Sequence, residues 1–446
     1  MTMPDLNSGA LAPVADEVEV FDLPVTGTIP AELAGTLIRN GPNPFSGRFN
    51  GTDVLSWWPE AAMLHAISFA GGTARAYRNR WVRSSGWANH HQLATDQQTV
   101  DGNPNVNVIS HAGEVLALAE GGPPVAINAQ LETLGLSRRH HGFTSGMTAH
   151  PKVDPITGEL MTFRADWAPP FLKYGVFDAT GAVTLEQQIE LAQPAMMHDM
   201  AITETASVLM DLNVGYDFSM LEHGYRIPIR WHESRQSRLG VIPRHGGAVR
   251  WFNIEPCFIQ HVVNAYDAAG DTIILDVVRY PWYFKADPDT RSMAENPLGV
   301  LWRYTIHSNE NRVTESQLDD LNIELPRINE TRTARKNRYC YAVEQPTNQE
   351  MRGLIRYDLT NGSTQHHQIN APDQNSEPVF VPRLQASGED DGWLLVSVYL
   401  AASQTNEIRI LDASDISQPP LATVALNRRI PAGFHGAWIP QESLRA

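Results

Sequence analysis

The chain has 446 residues, 42% of them hydrophobic and 19% charged, a globular balance rather than a disordered one. A formal net charge of −16, with no basic cluster beyond pairs such as Arg428-Arg429, excludes nucleic acid as a partner and disfavours attraction to anionic lipid. No apolar run reaches the ~18–20 residues that cross a bilayer, and two cysteines, Cys257 and Cys340, are too few to frame a disulfide-built fold. Met1 to Leu11 lacks the basic and apolar blocks of a secretory signal, so a cytoplasmic location is expected.

In chain order the pattern is strand after strand. Residues 36–39 read as a short strand ending in the turn-rich Asn40-Gly41-Pro42-Asn43-Pro44. Residues 66–69 and 74–82 flank Gly71-Gly72, a hairpin signal, and 106–110 and 115–119 flank His111-Ala112-Gly113-Glu114. Similar pairs surround Pro155-Ile156-Thr157-Gly158, Asp178-Ala179-Thr180-Gly181, Ala268-Ala269-Gly270-Asp271 and Asn361-Gly362-Ser363. The last segment runs through 393–400, 407–411 and 421–426 in the same way. About 25 short strands are too many for one sandwich, whereas a propeller accommodates them by radial repetition. Helical pieces are expected only in loops, at Asp199 and at residues 316–321. No linker divides the chain, and residues 1–446 read as a single all-β domain.

Most of the 16 histidines sit among polar or charged neighbours. The pairs His90-His91, His140-His141 and His366-His367 read as solvated. Four others are flanked by small or apolar residues: His150 in Met147-Thr148-Ala149-His150-Pro151-Lys152, and His198 in Met196-Met197-His198-Asp199-Met200. The third is His261, in Gln260-His261-Val262-Val263, and the fourth His435, in Gly433-Phe434-His435-Gly436-Ala437-Trp438. A buried neutral imidazole needs partners for both ring nitrogens, and a metal can supply one. The wide spacing is unlike a zinc finger but suits a propeller, whose inner strands converge on one axis. Four imidazoles on an octahedral metal leave two positions free, and imidazole suits Zn, Cu, Fe and Ni alike.

The four windows, in this order, resemble the iron-ligand windows of the carotenoid cleavage oxygenases. Asn40-Gly41-Pro42-Asn43-Pro44-Phe45, Tyr77-Arg78-Asn79-Arg80-Trp81 and Arg250-Trp251-Phe252 are similar to other segments of that family. The resemblance implies a seven-bladed β-propeller with Fe(2+) on its axis, held by His150, His198, His261 and His435, under a loop and helical cap with an apolar tunnel. It also implies three glutamates behind the ligands: Glu120 on His198, Glu324 on His261 and Glu377 on His435, with His150 lacking one. Surface charge is the commonest fate of a glutamate, but apolar surroundings and matching positions favour the supporting role. The family usually carries Gly-Asp-Gly-Met before a Leu-His dipeptide. Glu60-Ala61-Ala62-Met63 stands there before Leu64-His65, so the local turn is expected to differ.

The implied reaction is cleavage of a carbon–carbon double bond by dioxygen into two carbonyl products. Stilbene-cleaving members place a lysine directly before the first glutamate; here that residue is Ala119, which favours a carotenoid or apocarotenoid. A stilbene or phenylpropene cut by the same chemistry is the alternative. A propeller that only binds an apolar ligand is the alternative of another class, and a zinc hydrolase is disfavoured because four protein ligands close a zinc site. The expected partners are an apolar small molecule and O2, and the chain is expected to act as a monomer. Membrane contact is expected to be weak and peripheral at most; residues 218–221 and 281–284 are candidates for its apolar lip, with ordinary core packing as the equal alternative for each.

Overall fold

The computed structural model describes residues 5–49, 59–96, 98–143, 146–225 and 227–444; the first four residues of the N-terminal segment read above lie outside these. Its strands form seven antiparallel blades in chain order. The first comprises Glu19–Phe21, Thr73–Trp81, Ala62–Ala70, Gly35–Pro42 and the C-terminal strand Gly436–Pro440. The second runs from Asn107–His111 to Thr133–Leu136, the third from Lys152–Val153 to Val183–Glu190, and the fourth from Ala201–Ile202 to Arg250–Asn253. Phe258–Ala268, Thr272–Tyr280 and Val300–His307 build the fifth, and Tyr339–Glu344, Leu354–Asp358 and Thr364–His367 the sixth. The seventh holds Val379–Pro382, Gly392–Leu400, Thr405–Asp412 and Ala422–Ala425, edged by Val25–Gly27.

The ring closes twice. Gly436–Pro440 pairs with Gly35–Pro42 in the first blade, and the N-terminal Val25–Gly27 pairs with Ala422–Ala425 in the seventh. Each closure covers a sheet edge that would otherwise expose unpaired backbone groups. Middle strands are buried on both faces, as in Gly392–Leu400, while outer strands such as Val183–Glu190 alternate between exposed and half-buried residues. Gly71 and Gly72 both take positive φ, which the two-residue hairpin turn between Ala62–Ala70 and Thr73–Trp81 requires.

Two expected helical pieces are absent. Residues 316–321 lie inside the 16-residue strand Arg312–Arg327, whose first part pairs with the fifth blade and whose last part pairs with the sixth. That segment is polar because it crosses between blades at the surface, and a polar run carries no strand period to read. Asp199 is a buried loop residue. Among the described residues the α-helices are the short Ser85–His90 and Ser219–Glu222.

The turn expected over residues 40–44 is also displaced, because the strand continues to Pro42. Gly41 serves close packing instead: a Cβ there would lie 2.6 Å from the Gly433 Cα, just before His435. Of Glu60-Ala61-Ala62-Met63, the last three are buried and lead directly into Ala62–Ala70. Two histidines read as solvated are buried as well. His140 bonds the nearby Ser137 and the distant His111, and His367 Nδ1 bonds the distant Ile416 carbonyl; the two distant partners could not be foreseen from sequence.

A buried charge cluster clasps the blades together. Asp154, fully buried, forms an ion pair with Arg244 at 2.6 Å and accepts a hydrogen bond from Arg335 at 2.9 Å. Removing one partner from such a cluster leaves an uncompensated buried charge. Asp154→Ala is therefore expected to lower unfolding free energy by about 3 kcal/mol in chemical denaturation.

Candidate metal centre

Every blade contributes one of the seven candidate side chains. His150 stands just before Lys152–Val153, His198 just before Ala201–Ile202, and His435 just before Gly436–Pro440, while His261 lies within Phe258–Ala268. These are inner strands of the third, fourth, first and fifth blades. Glu120 follows the strand Glu114–Leu118 of the second blade, Glu324 enters the sixth from Arg312–Arg327, and Glu377 precedes Val379–Pro382 in the seventh.

One nitrogen from each of the four imidazoles lies within 4.8 Å of the other three. The Nε2 atoms of His198 and His261 are 3.4 Å apart. Behind the rings, Nδ1 of His198 faces Glu120 at 2.8 Å, Nδ1 of His261 faces Glu324 at 2.6 Å, and Nδ1 of His435 faces Glu377 at 2.9 Å. A carboxylate at Nδ1 keeps the ring proton there and leaves the Nε2 lone pair pointing inward. His150 has no carboxylate behind it, and its Nε2 is buried with no hydrogen-bond partner among the described residues. A buried ring nitrogen left without a partner is costly, and a cation at the centre of the cluster answers it. The donor set therefore fits a metal.

Local backbone irregularity aims these groups. The pairing of Phe258–Ala268 shifts register on both sides of Val262, next to His261. The pairing of Arg312–Arg327 shifts between Glu324 and Arg327, with Leu325 at positive φ. Bulges of this kind re-aim side chains. Gly146 is required where the segment leading to His150 meets the loop after Glu120, since a Cβ there would meet the Gly121 carbonyl oxygen at 2.1 Å.

The three carboxylates differ in setting. Burial alone raises the Glu377 carboxyl, but Arg327, His435 and the Gly436 N–H outweigh it and hold it at about 2. Burial likewise raises Glu324, and His261, the Tyr280 hydroxyl and the Leu325 N–H bring it below its ordinary value. Glu120 departs from the apolar setting expected of it, being 36% exposed beside a partly exposed His198. Burial and the three neighbouring imidazoles push His150 far below its usual range, and burial brings His435 to about 4 despite Glu377. Both rings are thus neutral at pH 7, as lone-pair donors must be. Burial lowers His261, yet the Glu324 charge and hydrogen bond outweigh it and raise the ring overall.

Tyr280 and Arg327 support the site without having been singled out. Tyr280 donates to Glu324 Oε1 at 2.6 Å, and Arg327 Nη1 lies 3.3 Å from Glu377 Oε1. Arg327 follows Glu324 by three residues, whereas nothing local marks Tyr280. Glu324→Gln is expected to weaken metal binding by about 10–100-fold in a metal titration. Glu120→Gln is expected to cost less, because water reaches His198 on that side.

The open flank beside Glu120 is aromatic. The Tyr216 hydroxyl is pushed up to about 12 by burial and then by the Glu120 charge. Tyr216 stacks with Phe218 at 6.2 Å, and Trp167 lies 5.4 Å from Phe218. Trp167, Phe218 and Leu221 are exposed while Met220 is buried. Residues 281–284 follow the core-packing alternative: Phe284 is buried, and Trp282 and Tyr283 pack on the core.

A family model described as RPE65, retinal pigment epithelial membrane protein, matches residues 11–440. The chain is 34% identical over 497 aligned residues to a carotenoid cleavage oxygenase of Mycobacterium tuberculosis, covering 97% of each. It is 31% identical to an isoeugenol monooxygenase of Pseudomonas nitroreducens, again covering 97% of each. Its fold superposes on a variant of Synechocystis apocarotenoid oxygenase with a TM-score of 0.88 at 26% identity, over 98% of both chains. Structures of that group are seven-bladed propellers, the architecture found here. By a match across nearly its whole length, and by the blade arrangement that brings four histidines to one point, this chain belongs to the RPE65 and carotenoid cleavage oxygenase family.

Proposed function

We propose that the protein is a non-haem iron(II) dioxygenase that cleaves a carbon–carbon double bond of a carotenoid or apocarotenoid into two carbonyl products. The observation that carries this reading is the convergence of His150, His198, His261 and His435, with the His150 Nε2 lacking a hydrogen-bond partner among the described residues. Iron(II), when bound, supplies the place where dioxygen is held and the electrons that lift its spin restriction. The chain supplies the rest. Glu120, Glu324 and Glu377 hold the Nδ1 protons of three rings and so fix their orientation. Burial on the Glu324 and Glu377 side keeps water away, leaving the flank beside Glu120 for substrate.

A polyene fits that flank better than a phenol does. Trp167, Tyr216 and Phe218 offer apolar faces, and Ala119 stands where a lysine would meet a phenolate. Exposed Trp167, Phe218 and Leu221 support weak, peripheral contact with a membrane that stores such substrates. No helix among the described residues is long and apolar enough to cross one. A monomer belongs to this reading, as does a reducing compartment, which two free, buried cysteines fit. The second reading, cleavage of a phenylpropene or stilbene, is favoured by the likeness to isoeugenol monooxygenase.

Aerobic incubation of iron(II)-loaded protein with a long apocarotenal, β-carotene, resveratrol and isoeugenol separates the two. Shortened aldehydes from the apocarotenal alone are expected. Cleavage of resveratrol or isoeugenol with the polyenes untouched would replace the first reading by the second.

A further inference from the structure

Besides the three glutamates, one more carboxylate ties together segments that carry the histidines. Asp199 is 2% exposed, and both its oxygens are engaged. Oδ1 accepts from Lys152 Nζ at 2.7 Å and from the Met200 N–H at 2.7 Å, and Oδ2 accepts from the Val262 N–H at 2.8 Å. These partners are not scattered. Lys152 follows His150 by two residues, Asp199 follows His198 directly, and Val262 follows His261 directly.

The Val262 N–H is available because the register of Phe258–Ala268 shifts on both sides of that residue. Without Asp199 it would be a buried donor lacking this acceptor, and the Lys152 ammonium would lose its anion. Thr148 ties two of the same segments again: its hydroxyl donates to the His198 carbonyl at 2.9 Å and accepts from the His150 N–H at 3.1 Å.

We infer that Asp199, clamped by Lys152, is a positioning residue that sets the mutual placement of His150, His198 and His261. It acts on main chain, whereas Glu120, Glu324 and Glu377 each fix one ring. Three of the four imidazoles therefore share one carboxylate in their spacing, and losing it leaves the His261 segment without its tie to the other two, which Thr148 still joins. The inference rests on the four-histidine metal reading.

The test uses metal-free full-length protein titrated with Co(II), followed by its d–d absorption, together with melting curves with and without Co(II). The variants are Asp199→Asn, Lys152→Met and Lys152→Arg. Asp199→Asn is expected to raise the Co(II) Kd by about 10-fold or more, the scale set by loss of an orienting carboxylate, and to alter the absorption bands. It should also shrink the rise in Tm that the metal brings, since that rise reports binding to the folded state. Lys152→Met, which leaves the Asp199 backbone bonds in place, should move the same readouts less, and Lys152→Arg should restore them. If Asp199→Asn does not fold, the two Lys152 variants carry the comparison alone. Folded variants with the wild-type Kd and spectrum, and with Tm lowered equally with and without metal, would make the clamp merely structural and overturn the inference. A wild type that takes up no Co(II) would overturn the metal reading and the inference with it.

Discussion

His261→Ala is expected to yield a folded protein that retains no iron after desalting and cleaves an apocarotenal more than about 100-fold more slowly than wild type. Removing an orienting carboxylate already costs about 10–100-fold, and removing the ligand itself must cost more. The substitution should also lower stability, because Glu324 is 3% exposed and loses the imidazole that holds its carboxyl down. It keeps the Tyr280 hydroxyl and the Leu325 N–H, which limits the damage to about 1–3 kcal/mol. His150→Ala is the informative companion. Among the described residues no carboxylate pairs with that ring, so its loss should release the metal without orphaning a charge. Iron content by elemental analysis, with thermal melts of the metal-free proteins, reads both effects. Full iron occupancy in His261→Ala would remove it from the ligand set.

Glu377→Gln should be the most damaging of the carboxylate substitutions. Glu377 joins the His435 ring, the Gly436 N–H and the Arg327 guanidinium, and its charge opposes the burial that lowers the Arg39 guanidinium, itself 3% exposed. Loss of the charge leaves two buried guanidiniums with too little negative charge between them, a defect of about 3–5 kcal/mol. Metal affinity should fall about 10–100-fold as the His435 ring loses its acceptor. The pH dependence has a definite sign. The folded-state pKa of Glu377 lies at about 2, below its ordinary value of 4.5, so its contribution is fully present above that ordinary value. It is lost as pH falls toward 2, and the gap in stability between wild type and Glu377→Gln should close over that interval. Denaturation midpoints measured from pH 6 down to pH 3 test this; a gap that stays constant would mean that Glu377 is not the titrating group.

Much of the fold was legible because β-turn chemistry is local. Gly71-Gly72, Asp178-Ala179-Thr180-Gly181 and Asn361-Gly362-Ser363 each mark a tight connection between strands that do pair. What failed was decided by long-range contact. Asn40-Gly41-Pro42 has turn residues, yet its glycine answers the approach of Gly433 from the other end of the chain. Residues 316–321 are polar because a strand passes from one blade to the next, a cause that no window of sequence contains. The burial of His140 depends on His111 in a different hairpin.

The candidate site was legible only through resemblance. Spacing alone could not join His435 to His150, because what joins them is closure of the ring by Gly436–Pro440 against Gly35–Pro42. Tyr280 illustrates the residue that neither spacing nor resemblance reaches. Its role exists only where Thr272–Tyr280 ends beside the bulge that carries Glu324.

The most direct test is oxygen uptake by iron(II)-loaded and metal-free protein given the same apocarotenal, with carbonyl products quantified in parallel. The account predicts that oxygen is consumed in step with double bonds cleaved, and that both stop when iron is removed. Equal cleavage by the metal-free protein, or iron held at the four histidines with no oxygen consumed on any substrate offered, would contradict it.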